Sequence, residues 1–570
     1  MKLRILLVRT LLAATLGIVL AGPAVAGEKT FHWTTVVNNN DLIPPLYIRN
    51  FNSYNQPSVN ASGMVVMRAR SRGGPPLGPA THGIYTRDMS IAGTPIVRIL
   101  DRTSLVPKPN NLGTTFVETP SFPRIDIDSD TIATRGNHQP VHRYVLDDGS
   151  ESRAGTTGIY TNPYGELVTG HAKLGHVPGM ERFRVPEFNG INFEVFPGSP
   201  AVTETNTIVF KGNFTAAGFE RTGVYYRSVE PGDTGGDALT VLIANSVDTL
   251  IPGTNTVFGS TAPPSAAHGK AVFAGFDNEW APTLGGIYLA NLEFQPQLSA
   301  LAEIGQAVPG LEEAAFFNDF GEALAFDVRF VGFWAAWGEE SRTVRLYCPQ
   351  EGNKDRIAYC NQALVCRDTG ETRGDPESIC DDKDDPNYGT SCYTERHVPV
   401  HQGIFVHDLR TDRTYLVKES ADEREDFLFW NYAGKTPCSG KGHSPHGGED
   451  DGESVRWRSS AFVAVSGRGA AFRAAFKVRL RTNDEPGVAA PTDAIYVAKG
   501  PGRSQPKVVL ATTMDGQTLD PQAPPGSRIL ELGLEREGFR GHWLAISAKM
   551  GVEGGEEEDD MAGVYIARIY

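Results

Sequence analysis

Past residue 30, apolar and polar residues alternate in short runs separated by Gly, Asn, Asp and Pro, a period of two that predicts strands joined by tight turns. One phrase recurs seven times, starting at Gly83 (GIYTRD), Gly158 (GIYTNP), Gly223 (GVYYRS), Gly286 (GIYLAN), Gly403 (GIFVHD), Ala494 (AIYVAK) and Gly563 (GVYIAR). Ahead of each lies an alternating apolar strand, as at Val65-Val66-Met67 or Ile208-Val209-Phe210, itself preceded by a short inner-strand signal such as Pro57-Ser58-Val59. Behind it lies a fourth strand, for example Pro95 to Asp101, and several of these run into a Val/Ile-Pro-Gly tag at 177–179, 251–253 and 308–310. Such a unit cannot bury its apolar faces alone, so the units must stack, and the pattern predicts an all-β, seven-bladed β-propeller. The seventh copy has no fourth strand before Tyr570, whereas His32 to Val37, followed by Leu42-Ile43-Pro44, repeats the strand-plus-tag pattern. The N-terminal strand is therefore expected to complete the last blade and remove the open edge.

Residues 1–26 combine Lys2, Arg4 and Arg9 with an apolar run and Ala24-Val25-Ala26, the layout of a signal peptide, leaving 27–570 as the propeller. No later stretch is long and apolar enough to span a bilayer, so the chain is expected to be secreted or periplasmic and to act as a monomer. Without those three basic residues, 50 Lys and Arg face 68 Asp and Glu, a net charge of −18 that argues against nucleic acid or an anionic membrane as the main partner. The six cysteines are Cys348, Cys360, Cys366, Cys380, Cys392 and Cys438. An even number in an exported chain favours disulfides, with the pairing left open. They fall in two insertions on blades 5 and 6, at about 333–400 and 422–457, expected to be stapled together on the face conventionally called the top. Long insertions on a repeat scaffold commonly carry function.

The top-face loops carry distinctive chemistry. Arg68, Arg70 and Arg72 leave the second strand of blade 1, and Arg135, Asn137, His138, His142 and Arg143 occupy the same place in blade 2. On an acidic protein such a patch suits an anionic ligand, a uronate or sulfate, although the same residues also read as solvated loop charges. Trp280, Trp334 and Trp337 offer flat faces for sugars, while Trp430 and Trp457 read better as packing under the insertions. Cys438, His443 and His446 offer a thiolate and two imidazoles for zinc, with a disulfide the preferred fate of Cys438. The Asp381–Asp385 run offers calcium ligands but lacks the EF-hand register and reads as solvated. A structural zinc or calcium is thus a possibility, and the chemistry itself calls for no cofactor. No nucleophile elbow, Walker loop, dinucleotide fingerprint or His-Glu-x-x-His helix is present.

PSFPRIDIDSDTIATRGNH (Pro120 to His138), together with NTIVFKGNF and TGVYYR (Asn206 to Arg227), resembles secreted seven-bladed polysaccharide lyases, ulvan lyases in particular. The resemblance implies β-elimination at a uronate of an acidic, possibly sulfated polysaccharide. A donor neutralises the carboxylate, His or Tyr takes the C5 proton, and Tyr or His protonates the leaving oxygen. Carried onto this chain, it implies His138, Tyr226 and Arg227 as catalytic residues. Arg70, Arg72, Arg135, Asn137, His142, Arg221 and Trp280 are then the substrate-binding residues. The alternative is a non-catalytic propeller docking a glycan or protein partner through its capped face.

Overall fold

The recurring phrase is the third strand of a four-stranded antiparallel sheet, and its spelling follows from that position. In blade 1, Met64–Ser71, His82–Asp88 and Val97–Asp101 are the second, third and outer strands. The outer strand carries one extra residue opposite the step from Ile84 to Tyr85, and the same step recurs at Ile159/Tyr160, Val224/Tyr225, Ile287/Tyr288, Ile404/Phe405 and Ile495/Tyr496. This is a β-bulge repeated around the ring. Glycine leads the phrase because a Cβ at Gly83 would run into the carbonyl oxygen of Leu100, and one at Gly286 into that of Ala302. The aromatic that follows is fully buried in Tyr85, Tyr160, Tyr225 and Tyr288. Each meets the edge of a phenylalanine from the start of its own blade, Phe51, Phe116, Phe193 and Phe258, at 5.0, 4.8, 5.0 and 5.2 Å. Edge-to-face pairs of this kind contribute about 1 kcal/mol beyond the area they bury.

The computed structural model describes residues 31–569 except 231–237, 350–353, 367–391, 421–424, 434–454, 481–491, 501–504, 556–559 and a few shorter breaks. Seven such sheets are present, and the seventh is completed by Trp33–Asn38 paired with Met561–Arg568, Trp33 opposite Ala567 and Asn38 opposite Gly563. The fold is the seven-bladed β-propeller expected from the repeats, closed by its N-terminal strand. The Val/Ile-Pro-Gly tags are type II turns between blades. Met180 N–H donates to Val177 O at 3.0 Å and Thr254 N–H to Ile251 O at 3.1 Å, with Gly179 and Gly253 at φ 81° and 75°.

The innermost strands touch in cyclic order around the axis. Ser58 Oγ donates to Pro123 O (3.0 Å), Ser265 Oγ to Leu324 O (2.7 Å) and Ser466 Oγ to Gly541 O (2.8 Å), each bond joining one blade to the next. In six blades this strand is split near its top end, as in Phe51–Tyr54 and Ser58–Val59 of blade 1. Blade 6 uses its split differently. Between Glu425–Asp426 and Val463–Arg468 it extrudes the hairpin Leu428–Ala433/Arg456–Ala461, so the second insertion rises from within an inner strand rather than from the link between two blades.

The first insertion, between Phe330–Trp337 and Gln402–Asp408 of blade 5, holds Ser341–Tyr347, the helix Lys354–Gln362 and Cys392–Pro399. Its disulfide, Cys348–Cys360, packs with Tyr432 and Trp457 of the second insertion, so the two form one cap. The expected role of Trp457 as packing holds. Cys366 faces Cys392 on adjacent antiparallel strands, a Cα register within disulfide reach. Cys380 and Cys438 lie outside the described residues, as do His443, His446, the Asp381–Asp385 run and residues 1–26. A peptide map of unreduced protein is expected to recover the pairs 348–360 and 366–392, leaving 380 with 438. Free thiols at 366 and 392 would refute that pairing.

Candidate functional site

Inner-strand pairing fixes how the second strands correspond. Ser58 sits opposite Val66, Arg124 opposite Ala133 and Ala201 opposite Val209 in blades 1, 2 and 3. Two residues further toward the top face, the three strands carry Arg68, Arg135 and Lys211. Three consecutive blades thus place a cation at one equivalent height, an arc around the mouth of the channel. Arg68 reaches from blade 1 to the Thr119 carbonyl of blade 2, and its Nη1 donates to Asn55 Oδ1 at 2.7 Å.

The arc faces carboxylates from blades 4 and 5. Arg456, on the blade 6 hairpin, pairs with Glu279 of blade 4 at 2.7 Å and lies over the Trp280 ring at 4.6 Å, spanning blade 5. Lys211 of blade 3 feels Glu322 of blade 5, Glu279, Arg458 and Arg456. Contacts between non-adjacent blades have to run over the axis, so these groups converge above the mouth.

Two of them are electrostatically unusual. Burial pulls the Lys211 amine below its ordinary value, Glu322 and Glu279 opposing this and the two arginines reinforcing it. Its ammonium makes no hydrogen bond or ion pair among the described residues. Asp319 lies on the upper half of the blade 5 inner strand (Phe317–Phe320), three residues before Glu322. Burial pushes its carboxyl up to about 6, Glu322 adds to the rise, and the Phe320 N–H bonded to it at 2.8 Å opposes it. A lowered amine and a raised carboxyl, both under the influence of Glu322, are shifts of the kind that cluster at functional sites.

The residues singled out from sequence are distributed unevenly around this mouth. Arg135 belongs to the arc and Asn137 follows it on the same strand. Trp280 is 76 % exposed at the rim. Arg70 and Arg72 lie further out, donating to Ser53 Oγ (2.7 Å) and Asn52 Oδ1 (2.6 Å). His142 Nδ1 contacts Pro109 O at 2.9 Å on the projecting blade 2 hairpin, where the backbone of His138 pairs with Thr156. Arg221 donates to Ser246 O at 2.9 Å and lies over Phe219. Tyr226 and Arg227 are in the body of the propeller. Tyr226 packs in the core between blades 3 and 4, and burial followed by Glu293 raises its hydroxyl. Arg227 is fully buried, donating to Ala238 O (3.0 Å) and Gly170 O (2.5 Å) over the Phe183 ring. Neither reaches the mouth.

The sequence reading did not single out Lys211, Glu279, Asp319, Glu322, Arg456 or Arg458. One signal was available for the first: R-G-N at 135–137 and K-G-N at 211–213 are the same phrase in successive blades. Among the described residues, no three His, Cys, Asp or Glu side chains are grouped to hold a metal, and no helix is long and apolar enough to cross a membrane.

No protein-family model matches the sequence, and no curated protein matches it. Among solved structures, an α-L-arabinofuranosidase of Podospora anserina in complex with cellotriose aligns with TM-score 0.22 and 7% identity over 68% of this chain and 94% of that one. An α-L-arabinanase of Penicillium chrysogenum complexed with arabinobiose aligns with TM-score 0.21 and 13% identity over 49% and 69%. The hemagglutinin-neuraminidase ectodomain of parainfluenza virus 5 aligns with TM-score 0.17 and 8% identity over 65% and 80%.

Proposed function

We propose that this propeller cleaves an acidic polysaccharide at the channel mouth by β-elimination at a uronate. The observation that carries the reading is the cationic arc of Arg68, Arg135 and Lys211 on an acidic protein, whose last member faces Glu322, the neighbour of a carboxyl pushed up to about 6. The arginines offset the uronate carboxylate, without which the C5 proton is too weakly acidic to remove. Lys211, in its deprotonated form, takes that proton on Nζ, and the C5–H electron pair becomes the C4=C5 bond. The C4–O bond breaks, and Asp319 gives its proton to the departing glycosidic oxygen. Trp280, with Arg456 on one face, offers the other face to a neighbouring sugar ring. The His138 side chain lies outside the described residues and takes no part in this scheme.

The carboxylates Asp319 and Glu322 favour a second reading, hydrolysis with Asp319 as acid and Glu322 as base. The products separate the two. Residues 27–570 are mixed with ulvan, alginate, pectate and glycosaminoglycans while ultraviolet absorbance and reducing ends are followed. Elimination raises both, because it leaves a conjugated double bond, whereas hydrolysis raises reducing ends alone. Tight binding with neither signal overturns the enzyme reading in favour of a docking propeller.

A further inference from the structure

Apart from the mouth, the ring axis is crossed by a second set of charges. Arg124 comes from the inner strand of blade 2, and Glu535, Arg536, Glu537 and Arg540 come from that of blade 7. They alternate as a ladder. Arg540 Nη2 lies 3.8 Å from Glu537 Oε1, which accepts from Arg124 Nη1 at 2.8 Å. Arg124 Nη2 lies 3.2 Å from Glu535 Oε1, which also accepts from Arg536 Nε at 3.2 Å. Arg536 continues to the Pro263 carbonyl of blade 4 at 3.3 Å, and Arg124 Nη1 comes within 3.5 Å of Ser265 Oγ there. Blades 2, 4 and 7 are not neighbours, so the ladder lies across the channel and blocks it.

The charges do not balance. Three guanidiniums meet two carboxylates, and Arg124 and Arg540 are at most 1 % exposed. Arginine does not deprotonate to relieve this. Among the described residues, Arg124 Nε and Arg540 Nε and Nη1 are buried donors without acceptors. The strain on the cluster also registers at Arg536, which burial, with Arg124 next, pulls down to about 10. A buried cation left uncompensated is strongly destabilising, and a water molecule supplies acceptors without cancelling charge.

We propose that the ring axis holds a small inorganic anion, chloride in ordinary saline, bound by the unpaired donors of Arg124 and Arg540. A monatomic anion accepts from every direction and donates nothing, which matches a site offering donors only. It brings the net charge of the cluster to zero and ties blade 2 to blade 7 across the ring, so its occupancy enters the stability of the fold.

Crystals of residues 27–570 soaked in sodium bromide should show an anomalous peak within hydrogen-bond distance of Arg124 Nε and Arg540. Exchanging chloride for gluconate at constant ionic strength should lower Tm by on the order of 2 °C, and a chloride titration should restore it. Arg540→Gln, which cancels the excess charge, should abolish that response. Water alone at the site, bromide only elsewhere, equal midpoints in the two salts, or a full chloride response in the variant would each overturn the proposal. If Arg540→Gln does not fold, the bromide map and salt exchange on the parent protein decide the matter.

Discussion

Asp319→Asn is expected to lower turnover on acidic polysaccharide by about a hundredfold to ten-thousandfold, the range over which a positioned acid or base contributes, while making the protein more stable at neutral pH. Both effects come from the same burial. The folded carboxyl titrates at about 6, above the ordinary value of 3.8, because burial disfavours its charged form. Below pH 4 it is protonated in both folded and unfolded chains and costs nothing. As pH rises through the interval between the two values, the unfolded chain ionises first and the fold loses stability. Above pH 6 the folded protein carries a buried carboxylate, and the amide removes that penalty. Tm of the variant should therefore exceed the parent's at pH 7 and match it near pH 4. Parent turnover should also fall as pH rises through about 6, since the acid form is the one that protonates the leaving oxygen. Lys211→Met should be comparably inactive. A variant with normal turnover, or one that loses both activity and Tm at pH 7, would remove Asp319 from the proposed role.

Deleting residues 32–40 is expected to lower Tm by about 10 °C or more and to promote aggregation. The deleted strand buries Trp33, Val36 and Val37 in the seventh blade, side chains worth about 2 kcal/mol each in lost apolar burial. Arg87 of blade 1 also donates to the Val36 carbonyl at 2.6 Å, and Asn38 Nδ2 donates to Asp520 at 2.8 Å. Without them, Met561–Arg568 becomes an unpaired edge able to recruit other chains. Equal thermal midpoints and equal light scattering for truncated and intact proteins would contradict this closure.

The blades can be read from sequence because their constraints are local. A glycine pressed against a carbonyl, a bulge and a buried aromatic two positions on must be spelled out again from unit to unit, and the N-terminal strand repeats the same grammar. The mouth is assembled from blades 1 to 6, residues such as Arg68 and Arg458 that lie far apart in the sequence and that only the rotation of the ring brings together. Lys211 stands inside an apolar strand and carries no mark of its role except its correspondence with Arg68 and Arg135. Tyr226 and Arg227 fail for the reverse reason. Their pairing in GVYYR looks like exposed chemistry, yet a third strand has neighbours on both faces, so both side chains face packed blades. The blade 6 insertion is legible in the sequence, but its origin within an inner strand is not, because only Glu425 and Asp426, two acidic residues, mark the upper half of that strand.

The pairing of Trp33 with Ala567 has a consequence for how the molecule is made. The strand at 33–38 has to wait for the one at 561–568 before it finds its partner, roughly half a minute to two minutes at ordinary elongation rates. Blades 1 to 6 can collapse as they emerge, but their arc stays open, with both end faces uncovered, until residues 561–568 have been made. A chain built this way is most exposed to misassociation at its final step, and a chaperone holding the nascent N-terminal strand would act where the need is greatest.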